Sequence, residues 1–173
     1  MREILLTGVT GFVGKVVLEA LLRREELGVE RVHVLIRAGA GGSARDRFEN
    51  EVMRSPCFAR LPAGWASRVE VVEGDLTQPD CALAPEARAA LAARITHVLH
   101  VAASVEFDLP LRTAEEVNVG GCLEILELAR AAKRLERMVS VSTAYVTPHP
   151  GEGVPVREVL APLPRPAEAL REA

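Results

Sequence analysis

Three glycines, Gly8, Gly11 and Gly14, stand at three-residue intervals directly behind the apolar run Ile4-Leu5-Leu6. With Thr10, Phe12 and Val13 they make up the stretch Thr7-Gly-Val-Thr-Gly-Phe-Val-Gly14, after which the apolar pattern turns helical. A strand, a glycine turn and a helix in that order can cradle a phosphate. The first N–H groups of a helix lack intrahelical partners, and the helix dipole puts partial positive charge at the same end. A side chain at Gly8 or Gly11 would obstruct a pyrophosphate, and Gly14 would let the helix pack on the strand. The alternative is a tight turn that merely tolerates glycine.

Further residues suited to a nucleotide lie at the ends of later apolar runs. Arg37 closes the second, where an NAD site usually carries an Asp or Glu to accept from the ribose hydroxyls. An arginine fork can instead pair with a 2′-phosphate, so NADPH is expected over NADH. The alternative is an exposed arginine without a ligand. Asp75 and Leu76 follow the third run in EGDL. There the carboxylate can accept from an adenine amino group and the leucine can cover the ring; Asp75 could equally be a cap or turn residue. Ala102, Ala103 and Ser104 end the fourth run, and small residues there let the backbone pass close to a ribose.

The elements that would position these residues alternate in type. Strands are expected at Ile4–Leu6, Val32–Ile36, Val69–Val72, His97–Ala103 and Met138–Ser142. Helices are expected at Phe12–Leu27, with a stripe of Val13, Val16, Val17, Ala20 and Leu21 and Gly28 as C′ residue, at Pro85–Arg94, and at Thr113–Arg134, with Val117, Leu123, Leu126, Leu128 and Ala132 at near-helical spacing. Strand–helix alternation implies right-handed crossovers and a parallel sheet. The fold class is therefore α/β: a doubly wound parallel sheet of Rossmann type, truncated after the fifth strand. An insertion, residues 38–68, interrupts the rhythm with AGAGG, a helix capped by Ser43 with Phe48, Val52 and Met53 on one face, and SPCFARLPAGWAS. The nucleotide-binding domain is placed at 1–147, and 148–173 reads as an irregular tail with a short helix near PAEALREA, leading to a missing catalytic and substrate-binding part.

Composition narrows the function classes. The 173 residues carry a net charge of −3, so there is no basic surface for nucleic acid. Three cysteines, Cys57, Cys81 and Cys122, lack paired spacing, and His97 and His100 point to opposite faces of a strand, so no metal site is expected. No run is long enough to span a membrane, the start does not resemble a signal peptide, and a cytoplasmic protein is expected.

The first turn resembles TGxTGFxG of the extended short-chain dehydrogenase/reductases. GVTGFVGKVVLEALLR, VHVLIRAG, RFENEVMRSPCFARL, VEVVEGDLTQPD, HVLHVAASVEFDLPLRTAEEVNVGG and VSVSTAYV together resemble the fatty acyl-CoA reductase group and its thioester-reductase relatives, the male-sterility-like domains. The resemblance covers nearly the whole chain. It implies NADPH as cofactor and an acyl thioester as substrate, carried by CoA or a carrier protein, with an aldehyde or alcohol as product. It also implies that Asn118 supports the backbone of the site, and that Thr143, with Ser142 second, hydrogen-bonds the substrate carbonyl. The group's Tyr-x-x-x-Lys pair does not match: Tyr145, the single tyrosine, is followed four residues on by His149. That pair is expected beyond residue 173, and the chain is expected to be inactive alone. A sugar-nucleotide epimerase or dehydratase and a non-catalytic nucleotide-binding module are the rivals. An unpartnered fifth strand would leave a sheet edge open to a second copy.

Overall fold

The computed structural model describes residues 2–106, 108–143 and 151–155. The chain divides into two units, Met1–Val141 and Ser142–Ala173. The first is built on five parallel strands, β1 (Arg2–Thr7), β2 (Val29–Ile36), β3 (Val69–Glu73), β4 (His97–His100) and β5 (Arg137–Ser140). Their order across the sheet is β3-β2-β1-β4-β5. The order reverses between β1 and β4, and in such sheets a crevice opens at that point beyond the carboxyl ends of the strands. The expected α/β class, a doubly wound parallel sheet, is observed among the described residues.

Helices cover both faces of this sheet: α1 (Phe12–Arg23), α2 (Ala44–Arg47), α3 (Pro85–Arg94), α4 (Leu111–Glu115) and α5 (Gly121–Ala131). α3 has the bounds its pattern predicts. α1 is shorter, ending at Arg23; a separate tight turn, Glu25–Leu27, comes next, and Gly28 closes that turn in the left-handed region at φ 60°. The buried face of α1 is Gly14, Leu18, Leu21 and Leu22. Val13 and Val16 of the predicted stripe are 47% and 45% exposed. The close seating of Gly14 rotates the helix so that the i, i+4, i+7, i+8 set starting from that glycine meets the sheet.

The long helix expected at Thr113–Arg134 is two helices joined by a wider turn, Glu116–Gly120, with i→i+5 bonding. The wider turn shifts the phase of the second helix. The buried face of α5 becomes Ile125, Leu128 and Ala129, while Leu123 is exposed. β4 stops at His100, short of the expected Ala103, and β5 at Ser140.

The insertion is part of the core. Ser43 caps α2 by accepting from the Asp46 N–H, and the Asp46 carboxylate accepts in return from the Ser43 N–H at 2.8 Å. Phe48 and Val52 are fully buried, whereas Met53 is exposed, because another wide turn over Phe48–Met53 takes it off their face. Phe58 stacks on Trp65 at 4.7 Å between ring centroids, and Phe48 meets the same indole edge-on at 6.2 Å. The Arg68 guanidinium donates to the carbonyls of Leu22 and Val29, at 3.0 and 2.6 Å. The insertion thus closes the sheet face on which α1 lies.

At the amino ends of the strands, Glu3 gathers β1, β2 and α3: its Oε2 lies 2.8 Å from His33 Nε2 and 3.0 Å from Arg94 Nε. Burial pushes the Glu3 carboxyl up, but the His33 hydrogen bond and the Arg94 charge hold it below its usual range. The spacing of the histidines does not reveal this fully buried one.

Candidate functional site

The turn from β1 into α1 rises at the point where strand order reverses. Gly8 has φ 76°, a conformation costly for residues with a Cβ. A Cβ there would also lie 2.6 Å from the Ala102 backbone nitrogen. The requirement at Gly8 is thus close approach to the end of β4, beyond any need for room at a phosphate. A Cβ on Gly14 would overlap the Gly8 carbonyl, so this glycine seats α1 on the turn itself, where packing on the strand was expected. Gly11 differs. A Cβ there would meet the Gly8 carbonyl at 3.3 Å and nothing else within 4 Å, so its open side faces the crevice.

Gly11 is also the N-cap of α1 and offers no side chain to the helix end. The first bond of the helix runs from Lys15 N–H to Gly11 O at 3.2 Å. The N–H groups of Phe12, Val13 and Gly14 therefore begin the helix without intrahelical partners. This is the local arrangement an anion needs.

One open cleft of about 710 Å³ joins this helix end to the remaining strand ends. Gly8, Thr10, Gly11, Phe12, Val13 and Gly14 line one part of it, Arg37, Asp75 and Leu76 another, and Ala102, Ala103 and Ser104 a third. Phe12 and Val105 give it apolar lips, 83% and 80% exposed. Thus twelve of the residues singled out in the sequence come together.

The third wall depends on Thr7. Its hydroxyl accepts from the backbone N–H groups of Val101 and Ala102, both at 3.2 Å, and lies 2.9 Å from His100 Nδ1. These bonds pull the chain out of β4 after His100 and across the Gly8 turn. Further along, Asn118 does not line the cleft. Its Oδ1 accepts from Ser104 N–H at 2.8 Å and its Nδ2 donates to Ser104 O at 3.1 Å. The side chain supports the local backbone of the site from the wide turn before α5.

At the end of β2, Arg37 is 65% exposed and its Nη1 is 3.9 Å from Asp75 Oδ2. Asp75 Oδ1 accepts from the N–H and hydroxyl of Thr77, at 3.0 and 2.8 Å, so it is a turn residue on that side while Oδ2 is the oxygen nearer Arg37. A second guanidinium joins here that no motif in the sequence marks. Arg47 lines the same cleft, donating through Nη1 to Arg37 O at 2.9 Å and through Nε and Nη2 to the Glu51 carboxylate, at 2.8 and 3.0 Å. Its helical i,i+4 pairing with Glu51 was readable; its approach to Arg37 comes from the fold of the insertion.

Ser142 and Thr143 belong to the second unit, where both are exposed. Tyr145, His149 and the helix expected near PAEALREA lie outside the described residues. Among the described residues no cluster of His, Cys, Asp and Glu could hold a metal, and no helix is long and apolar enough to cross a membrane.

Comparison with known proteins gives consistent results. Residues 6–166 match an NAD-binding family described as male sterility protein. The chain is 39% identical over 147 residues to fatty acyl-CoA reductase 1 of Mus musculus, covering 83% of this chain and 28% of that protein. Against fatty acyl-CoA reductase 1 of Xenopus laevis it is 36% identical over 175 residues, covering 99% and 33%. It thus spans about a third or less of these curated relatives. Among solved structures, the terminal R domain from the myxalamid PKS-NRPS biosynthetic pathway superposes with a TM-score of 0.77 at 32% identity, over 93% of this chain and 40% of that one. The reductase domain of a nonribosomal peptide synthetase from Mycobacterium tuberculosis gives 0.62 at 33% identity, over 83% and 33%.

Proposed function

The chain belongs to the male sterility protein family, and from that premise we propose that it is the NADPH-binding part of a reductase acting on fatty acyl thioesters. The observation that carries this reading is the single cleft uniting the uncapped end of α1, the Arg37–Arg47 pair and the Asp75–Leu76 turn. A dinucleotide matches that order: pyrophosphate on the helix end, adenine against Leu76 and Asp75, and 2′-phosphate within reach of the two guanidiniums. The backbone of Ala102–Ser104 would run along the nicotinamide ribose, held there by Thr7 and Asn118.

When bound along this cleft, NADPH would supply the hydride that reduces a thioester carbonyl, with loss of the thiol, to an aldehyde, and a second hydride would give the alcohol. Negative charge builds on the carbonyl oxygen, and Thr143, with Ser142, is proposed to donate to it. The thioester is that of CoA or of a carrier protein. The domain is proposed as 1–147, with 148–173 leading toward the substrate-binding part. We place the protein in the cytoplasm, which suits its three free thiols, and in lipid metabolism. For the edge of the sheet at β5, its outermost strand among the described residues, we propose pairing with a second copy of the chain.

The test is titration of the chain with NADPH and, separately, NADH, followed by nicotinamide fluorescence. Tight NADPH binding with weak NADH binding is the expected result, and binding of neither would overturn the reading. Acyl-CoA turnover is expected once a downstream segment carrying Tyr-x-x-x-Lys is joined to the chain.

A further inference from the structure

Between β3 and α3 the backbone does something no residue type announces. Asp80, Cys81 and Ala82 have φ of 51°, 58° and 55° in succession. Each carries a Cβ, and each is disfavoured in this left-handed region. Three together persist only where their surroundings over-determine them.

Those surroundings can be named. Cys81 is 1% exposed, within the apolar cluster that includes Leu35, Leu83 and Ile125. Asp80 is gripped twice from neighbouring helices. Its N–H donates to Glu124 Oε2 on α5 at 2.8 Å, and its Oδ1 accepts from Arg88 Nε on α3 at 3.0 Å. What the turn delivers is the Cys81 carbonyl, which accepts from the Asp75 N–H at 2.8 Å. Gly74 makes that approach possible, since a Cβ there would stand 2.8 Å from the same carbonyl oxygen. The turn thus sets the backbone of the Asp75–Leu76 lip. α5 reaches this lip a second way: a Cβ on Gly121, one helical turn before Glu124, would be 3.2 Å from Leu76 Cβ.

We propose that Glu124 is a positioning residue for the adenine end of the nucleotide, acting through the left-handed turn Asp80–Ala82 to hold Asp75 and Leu76 in place. The inference rests on the dinucleotide reading of the cleft. Among the described residues, the only side-chain hydrogen bond of Glu124 is the one to Asp80 N–H. A charge-assisted bond to a backbone N–H is among the stronger single anchors a side chain can give. Without it the turn keeps the Arg88 bond and the buried Cys81 but loses its anchor on α5, so it relaxes in part toward ordinary φ values and the Cys81 carbonyl holds Asp75 less firmly.

The experiment compares the full chain with Glu124→Gln, Glu124→Ala, and Glu124→Ala combined with Ala82→Gly. The added glycine removes the steric penalty at one left-handed position. Affinities for NADPH and for 2′,5′-ADP, the adenine half alone, are measured at a temperature where each variant is fully folded. Glu124→Ala is expected to weaken both ligands about five- to tenfold, the scale of one hydrogen-bonded contact. Glu124→Gln, which keeps an acceptor, should lose less, and Ala82→Gly should restore most of the affinity. An unchanged 2′,5′-ADP affinity in Glu124→Ala, or a double variant that regains thermal stability without regaining affinity, would overturn the inference. If the parent chain binds neither ligand, the dinucleotide reading fails first, and the inference fails with it.

Discussion

Thr7 and His100, at the carboxyl ends of β1 and β4, form a buried pair 2.9 Å apart. The Thr7 hydroxyl already accepts from two backbone N–H groups, so its one proton points to His100 Nδ1. That leaves His100 as the neutral imidazole, with its proton on Nε2. Burial pushes the His100 pKa down from its ordinary 6.5, in the same sense. A histidine whose folded pKa is depressed supports the fold fully above the unfolded value and loses that support as pH falls below it. We expect the melting temperature to decline as pH drops through about 6.5. His100→Asn, which keeps an acceptor but cannot titrate, should flatten that slope in part; His97, also lowered by burial, contributes the remainder. An unaltered slope in the variant would count against this account.

Thr7→Val removes the acceptor of two N–H groups and the donor to His100 in one nearly isosteric change. The expected cost is about 2 kcal/mol or more, read as a shift in the denaturant midpoint. Thr7→Ser keeps the hydroxyl and should recover most of it.

Arg37 and Arg47 reach the cleft from different elements, and neither is enclosed. Arg37→Ala and Arg47→Ala should each weaken NADPH binding by about tenfold or more, with little change for NADH. Arg47→Ala also breaks its fork to Glu51, so its melting temperature must be measured beside its affinity. Equal losses for both dinucleotides would remove the 2′-phosphate assignment.

The glycines should separate by experiment. Gly14→Ala forces a methyl into the Gly8 carbonyl and should destabilise the whole domain. Gly11→Ala meets only the Gly8 carbonyl, at 3.3 Å, so it should cost far less stability than Gly14→Ala yet bind NADPH more weakly, because the new methyl sits where the phosphate would.

Burial, with Glu124 and Asp80 adding to it, pushes the Cys81 thiol up to about 11. In the native chain at pH 8, a maleimide should modify Cys57 and Cys122 well before Cys81, with all three reacting after denaturation. Rapid native modification of Cys81 would show that the left-handed turn opens readily.

The edge strand β5 leaves Val139 44% exposed, with Val141 just beyond it at 49%. A self-association constant in the range visible to sedimentation is expected, and Val139→Lys should shift the chain toward monomer. A parent chain that is monomeric and melts cooperatively as a stable domain would refute pairing at this edge.

The sequence by itself determined the alternation of strands and helices, because apolar runs and helical stripes are local patterns. It also determined the glycine turn, because glycine spacing after a strand is a local demand on backbone geometry. Arg37, Asp75 and Leu76 were legible for the same reason: strand ends can be counted along the chain. Tertiary structure decided which face of α1 and α5 is buried, since one seated glycine or one wide turn rotates every later side chain by about 100° per residue displaced. It also brought Arg47 to Arg37, His33 to Glu3, and Glu124 to Asp80. Each of these pairs joins residues from different elements, and their distance is fixed only when the sheet, the insertion and the helices pack on one another. The left-handed turn Asp80–Ala82 is the plainest case. No residue in it prefers that conformation; the buried Cys81, the backbone bond from Asp75 and the grip of two neighbouring helices hold it there.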